Sequence, residues 1–177
     1  MAPLIALDEL YTRYSGLVVA YLRGQGAADP EDLASEVFVG VLRNLDSFEG
    51  DEAAFRSWLL VIAHRRLLDE RRRRGRKPAD AVQPHRLHAV PDEGRMGDVE
   101  GAALERIGTA RVLGALEELT DDQRTVVLLH TVGGLTLPQI SEMLGKRLAA
   151  VKSVHRRGLA AAARALQAAP DTTAVER

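Results

Sequence analysis

The chain has 177 residues, 46% of them hydrophobic but only 4% aromatic, with a formal net charge of -1 and no cysteine. That length holds one ordinary domain or two small ones, and a core of Leu, Val, Ile and Ala with few rings favours helices over a β-sandwich. The missing cysteines exclude disulfides and thiolate metal sites and point to the cytoplasm. The opening MAPLIALDEL lacks the basic-then-apolar pattern of a signal peptide, and no run approaches the roughly 18 apolar residues of a membrane span.

The balanced total hides a strong patterning. Residues 65–77 carry eight basic side chains against two acids, Asp69 and Glu70, and residues 146–164 carry six basic side chains and no acid. Residues 29–52 carry eight acids and one base, Arg43. Local basic blocks attract phosphates whatever the overall sum, so two separate segments are candidates for nucleic acid.

In chain order, residues 7–22 place Leu7, Leu10, Tyr11, Tyr14, Leu17, Val18, Tyr21 and Leu22 on one helical face. Asp29-Pro30-Glu31-Asp32 opens a second helix, with a capping Asp, proline in the first turn and acids at the positive dipole end. Its apolar stripe is Leu33, Val37, Phe38, Val41, Leu42 and Leu45. Its outer stripe, Asp32, Glu36, Val39 and Arg43, is acidic and would repel DNA, which suits a basic protein partner. A loop at 44–51 leads to a third helix over 52–74 that buries Phe55, Trp58, Leu59 and Ile62 and turns basic in its second half. There Asp69 lies four residues from both Arg65 and Arg73 and is expected to pair along the helix.

Residues 75–101 lose periodicity and hold three prolines and four glycines, the composition of a flexible linker. Beyond it, Thr120-Asp121-Asp122-Gln123 and Thr136-Leu137-Pro138-Gln139 are two capping boxes. The second opens a short helix through Ile140 and Leu144 that Gly145 ends, and a basic helix resumes near Leu148. This is the helix-turn-helix pattern. In the second helix Val151, Val154 and Gly158 form an apolar back for packing on Ile140 and Leu144. Ala149, Lys152, Ser153 and Arg156 form a front of small residues and donors suited to a DNA groove. An Ala-rich helix and a polar tail end the chain.

The segments DPEDLASEVFVGVLRNLDSF, FRSWLLVIAHRRLLDERRRR and LEELTDDQRTVVLLHTVGGLTLPQISEMLGKRLAAVKSVHRRGL resemble the sigma-70 family of RNA polymerase sigma factors, in its extracytoplasmic-function (ECF) group. The resemblance spans about residues 7–166. It implies an all-α fold of two small domains: region 2, a helical bundle at 1–74, and region 4, a helix-turn-helix domain at 103–169. A linker at 75–102 joins them, and 170–177 is a disordered tail. It further implies that Asp32, Leu33, Glu36, Val37, Val39 and Arg43 meet a coiled coil of the polymerase largest subunit, and that region 4 meets the polymerase flap. Ser47, Phe48, Glu49, Gly50 and Asp51, with His64, Arg65, Arg71 and Arg72, would engage the minus-ten promoter element. Arg147, Ala149, Lys152, Ser153, Arg156 and Arg157 would read the minus-thirty-five element. An anti-sigma factor is an implied partner; no cofactor, metal or membrane is. The chain departs from the family's pattern at Arg65, often Asn, at Thr125, commonly Glu, and at Ala150, often Thr.

Two other readings compete. A helix-turn-helix regulator acting without polymerase would have no need of the acidic helix joined to an Arg-rich one. A metal-dependent enzyme could be built from His85, His88, Asp92 and Glu93, but these lie in the Pro/Gly-rich segment with no rigid scaffold to hold a ligand geometry. No nucleophile–base pair or phosphate-cradling glycine loop occurs, so the chain reads as no enzyme.

Overall fold

The computed structural model describes residues 2–76 and 99–168, and every regular element in them is helical. The region expected to hold His85, His88, Asp92 and Glu93, most of the expected linker, and the tail from residue 169 lie outside the described residues.

Three helices form the N-terminal bundle: α1 (Ala2–Gly24), α2 (Pro30–Asn44) and α3 (Glu52–Arg76), with a 3-10 turn at Leu45–Ser47. The start of α2 is built as its residues dictate: the Asp29 side chain accepts from Asp32 N at 2.9 Å, and Pro30 occupies the first turn. Asp51 caps α3 in the same way, accepting from Ala54 N at 2.8 Å. Tyr14, Val18, Tyr21 and Leu22 of α1 pack with Leu33, Val37, Phe38 and Val41 of α2 and with Phe55, Leu59, Leu60, Ala63 and Leu67 of α3. Two residues depart from the expected stripes. Leu42 and Tyr11 are exposed, because three helices bury a narrower arc of α1 and α2 than the apolar residues span.

The C-terminal domain comprises α4 (Val99–Glu117), α5 (Asp121–Thr131), α6 (Leu137–Leu144) and α7 (Leu148–Ala168). Helix therefore extends to Arg76 and resumes at Val99, inside both ends of the segment expected as linker. Both capping boxes form: Gln123 N donates to Thr120 Oγ1 at 3.3 Å, and Thr136 N donates to Gln139 Oε1 at 2.8 Å. Gly145 takes a left-handed φ of 63° between α6 and α7, where a side chain would be strained. Val151 is fully buried as expected. Gly158, however, faces α5 and not α6: a Cβ there would lie 2.8 Å from Val127 Cγ2. The glycine lets α7 cross α5 closely, which holds the helix-turn-helix on its support.

The two domains dock. Their buried residues form one cluster, and the C-terminal end of α1 packs on α5.

Candidate nucleic-acid interface

Arg147, just before α7, and Ala149, Lys152, Arg156 and Arg157 on it are exposed, and Ser153 is half-buried. Lys146 is bound to the Asp122 carboxylate, whereas no carboxylate among the described residues pairs with Lys152, Arg156 or Arg157. The turn before the helix is tied by Ser141 Oγ donating to Lys146 O at 2.6 Å. A rigid turn, an apolar back and unpaired cations on the front leave this face able to contact bases and phosphates together. Behind it, the His130 and His155 rings meet edge to face at 4.6 Å, and His130 Nδ1 donates to Leu135 O at 2.8 Å. Sequence reasoning missed this pair, which has no helical spacing to reveal it.

In the loop before α3, Ser47 and Glu49 are exposed, and Ser47 Oγ donates to Asn44 O at 2.8 Å. Phe48 leans instead into an aromatic cluster, with ring centroids 5.5 Å from Phe55 and 5.0 Å from Trp58. Trp58 is thus partly buried against the core. Gly50 is needed for space: a Cβ would sit 2.8 Å from Ala54 Cβ and 3.0 Å from the Phe48 ring. Asp51 already serves as the α3 cap.

The basic half of α3 divides by orientation. Arg65 and Arg72 are exposed, Arg72 bridging Asp69 at 3.2 Å. The ion pair expected from Asp69 to Arg65 and Arg73 does not form; Arg73 reaches across to Glu36 of α2 at 3.6 Å, and Arg74 meets Glu70 at 2.7 Å. Two residues expected at the DNA, Arg71 and His64, are half-buried and make contacts within the bundle. Arg71 donates to the Gln25 carbonyl at 2.6 Å, closing the end of α1, and His64 Nδ1 lies 2.9 Å from the Tyr21 hydroxyl.

Burial, and secondarily the Arg71 guanidinium, hold the His64 imidazole below its ordinary pKa. Burial drives the Tyr21 hydroxyl above its usual range. With Gln25 Nε2 donating to the Tyr21 oxygen, the Tyr21 proton is directed to a neutral His64. A histidine whose folded pKa is depressed binds its proton more readily in the unfolded chain. Stability is then complete above about pH 6.5 and falls as pH drops through that value toward the folded pKa. The melting temperature should accordingly hold from pH 8 to about 7 and decline below about 6.5. His64→Gln, which keeps an acceptor for Tyr21, should flatten part of that decline; an unchanged pH profile would exclude His64 as its source.

The outer face of α2 presents Asp32, Val39 and Arg43 to solvent and leaves Glu36 half-exposed against Arg73. Leu33 and Val37, also expected at the polymerase, are 2% and 0% exposed and hold the helix on the bundle. The structure adds an apolar residue to this face, Leu42, one turn along from a Val39 that is 45% exposed. An apolar centre rimmed by acids is the composition of a protein-binding surface.

Residues 10–77 match the family model Sigma-70 region 2, and residues 109–161 match Sigma-70, region 4. The ECF RNA polymerase sigma factor SigK of Mycolicibacterium vanbaalenii is 34% identical over 87% of this chain and 76% of its own length. SigK of Mycobacterium tuberculosis is 32% identical over 86% of this chain and 79% of its own. In solved structures, CnrH in complex with the cytosolic domain of CnrY matches the fold with a TM-score of 0.64 at 23% identity, over 93% of this chain and 90% of that one. The sigma factor RpoE of Bartonella quintana, in complex with the anti-sigma factor NepR, matches with a TM-score of 0.64 at 21% identity, over 92% and 97%. With both regions matched in order and relatives of this identity along most of their length, the chain belongs to the ECF group of the sigma-70 family of RNA polymerase sigma factors.

Proposed function

We propose that this chain binds core RNA polymerase and brings it to promoters, where it directs strand opening and the start of transcription. The observation that carries this reading is the pairing of two different surfaces on one chain. Helix α2 offers an apolar, acid-rimmed face suited to a protein, and α7 offers unpaired cations suited to DNA. A helix-turn-helix regulator acting alone would use the second and have no use for the first.

The residue assignments follow from the same division. Asp32, Glu36, Val39 and Arg43, joined by Leu42, meet the largest-subunit coiled coil. Ser47, Glu49, Arg65 and Arg72 lie nearest the minus-ten element, with Phe48, Gly50 and Asp51 shaping the loop. Arg147, Ala149, Lys152, Ser153, Arg156 and Arg157 read the minus-thirty-five element. The chain acts in the cytoplasm and catalyses nothing itself; bond formation belongs to the polymerase. The resemblance extends to an anti-sigma factor as a regulatory partner.

Run-off transcription with purified core polymerase on a library of promoter fragments tests the reading. Addition of the chain should yield transcripts from a subset sharing two sequence elements. DNA binding by the chain alone, with no transcripts and no association with core, would favour the stand-alone regulator.

A further inference from the structure

We propose that His130 and His155 are positioning residues for the upstream promoter contact, a role that rests on the promoter reading above. As a neutral pair they hold the back of α7 to the end of α5 and to the turn before α6. A proton on the pair loosens that hold and weakens reading by the front of α7.

One imidazole joins three elements. His130 stands in the last turn of α5, and its Nδ1 donates to Leu135 O at 2.8 Å, closing the turn that leads into the Thr136 cap of α6. Leu135 is itself 2% exposed, and its N–H returns to Leu129 O at 3.1 Å. The bond to Leu135 fixes the proton of a neutral His130 on Nδ1. The same ring meets the His155 ring of α7 edge to face, with centroids 4.6 Å apart and planes at 84°. Lys152 and Arg156 leave the same turn of α7 as His155, on its exposed side. A shift of the His155 ring therefore carries both cations with it.

The surroundings accept the pair only without an added proton. His155 Nε2 is buried and has no hydrogen-bond partner among the described residues. A neutral ring can leave a lone pair there, whereas an imidazolium would place an N–H on that atom, a buried charged donor with no acceptor. Burial, and after it the His130 ring, hold the His155 imidazole below its ordinary pKa. On its own helix His155 is flanked by two cations, Lys152 and Arg156. From α5 the titratable group against it is His130; Asp121, Asp122 and Arg124 stand in the first turn, Asp122 bound to Lys146 and Arg124 donating to the Leu116 and Leu119 carbonyls. Helix α6 offers only an exposed Glu142, and α4 offers Arg111, which donates to Leu166 O, with Glu117 and Glu118 exposed. No carboxylate pairs with either ring, and the two are joined by no third ligating side chain that could hold a metal ion, among the described residues. A docked His155 thus binds its proton less readily than a released one. The pose is kept above about pH 6.5 and yields as pH falls below that value.

The test is run-off transcription by core polymerase carrying the chain, on one responsive promoter and on the same promoter with its upstream element scrambled. The ratio of the two yields cancels the pH response of the polymerase and of His64. For the parent it should hold from about pH 8 to about 7 and fall several-fold below about 6.5. His155→Phe keeps an aromatic edge for His130 and takes no proton, so its ratio should stay level over the same range. His130→Ala should give a low ratio at every pH, and His130→Asn, whose side-chain N–H can reach Leu135 O, should recover it at about pH 8. A parent ratio that stays flat or rises as pH falls would overturn the proposal, as would the parent's slope in His155→Phe. Equal ratios for the two His130 variants, with normal helical circular dichroism, would overturn it too and do not depend on His155→Phe folding. Failure of the promoter reading looks different: no transcripts form, or yields ignore the upstream element even at about pH 8. The free chain then still decides the pair by nuclear magnetic resonance. The His130 and His155 ring signals should titrate together and carry the Thr136 and Lys152 amide signals with them; independent titration with those amides unmoved would rule the pair out.

Discussion

Asp32→Arg combined with Glu36→Arg should weaken binding to core polymerase by on the order of 100-fold while leaving the helical circular dichroism spectrum intact. Asp32 is exposed and its backbone N–H, not its carboxylate, makes the capping contact with Asp29. Glu36 gives up a 3.6 Å bridge to Arg73 between partly exposed side chains, and such a pair contributes about 1 kcal/mol at most. The fold therefore tolerates both changes. Binding does not, because two acids facing a basic partner become two like charges. Val37→Ala is the counter-experiment. Its side chain is buried between the helices of the bundle, so it should cost roughly 2 kcal/mol of stability and alter binding only as far as the fold loosens. Val39→Ala should do the opposite, lowering affinity with no change in melting. Co-purification with core enzyme and thermal melts of the three variants separate the outcomes. Normal core binding by the Asp32/Glu36 double variant would remove α2 from the polymerase interface.

The contrast between Val37 and Val39 also marks how far the sequence could be read. Period-3.6 spacing distinguishes the two faces of α2, and the capping residues locate helix starts at Pro30, Asp121 and Leu137. The turn at Gly145 and the buried Val151 were legible for the same reason, since both are local consequences of neighbouring residues. What was not legible depends on partners far along the chain. Arg71 and His64 sit in a basic helix and resemble DNA contacts, yet their partners, the Gln25 carbonyl and the Tyr21 hydroxyl, lie 46 and 43 residues away. Charge says that an arginine needs an acceptor; it does not say whether the acceptor is a phosphate or the end of another helix. Leu42 failed differently. It continues an apolar stripe, but the arc buried by three helices stops short of it, and the surplus apolar surface stays in solvent. Docking of the domains through Gln25 and Thr125, 100 residues apart, left no periodic trace.

Arg156→Ala and Lys152→Ala should both impair transcription, and by different routes. Both side chains stand on the exposed front of α7, whose position is set by the buried Val151 and by the close approach of Gly158 to Val127. An arginine that reaches a base edge discriminates by bidentate hydrogen bonds, typically worth about 1–3 kcal/mol against the wrong base. Its loss should reduce activity at preferred promoters roughly 10- to 100-fold and relax the preference at one or two upstream positions. A lysine that neutralises a phosphate carries no sequence information. Its loss should weaken every promoter alike and lower the salt dependence by about one unit of slope. Neither change should alter preference at the downstream element, where substitutions of Ser47 or Glu49 are expected to act, because that loop belongs to the N-terminal domain. The measurement is transcription by each variant from a library randomised separately at the upstream and downstream elements, repeated at two salt concentrations. Altered downstream preference in the Arg156 variant would mean that the two readers had been assigned to the wrong domains. A sequence-selective loss with Lys152→Ala, or a uniform one with Arg156→Ala, would exchange their roles on the helix.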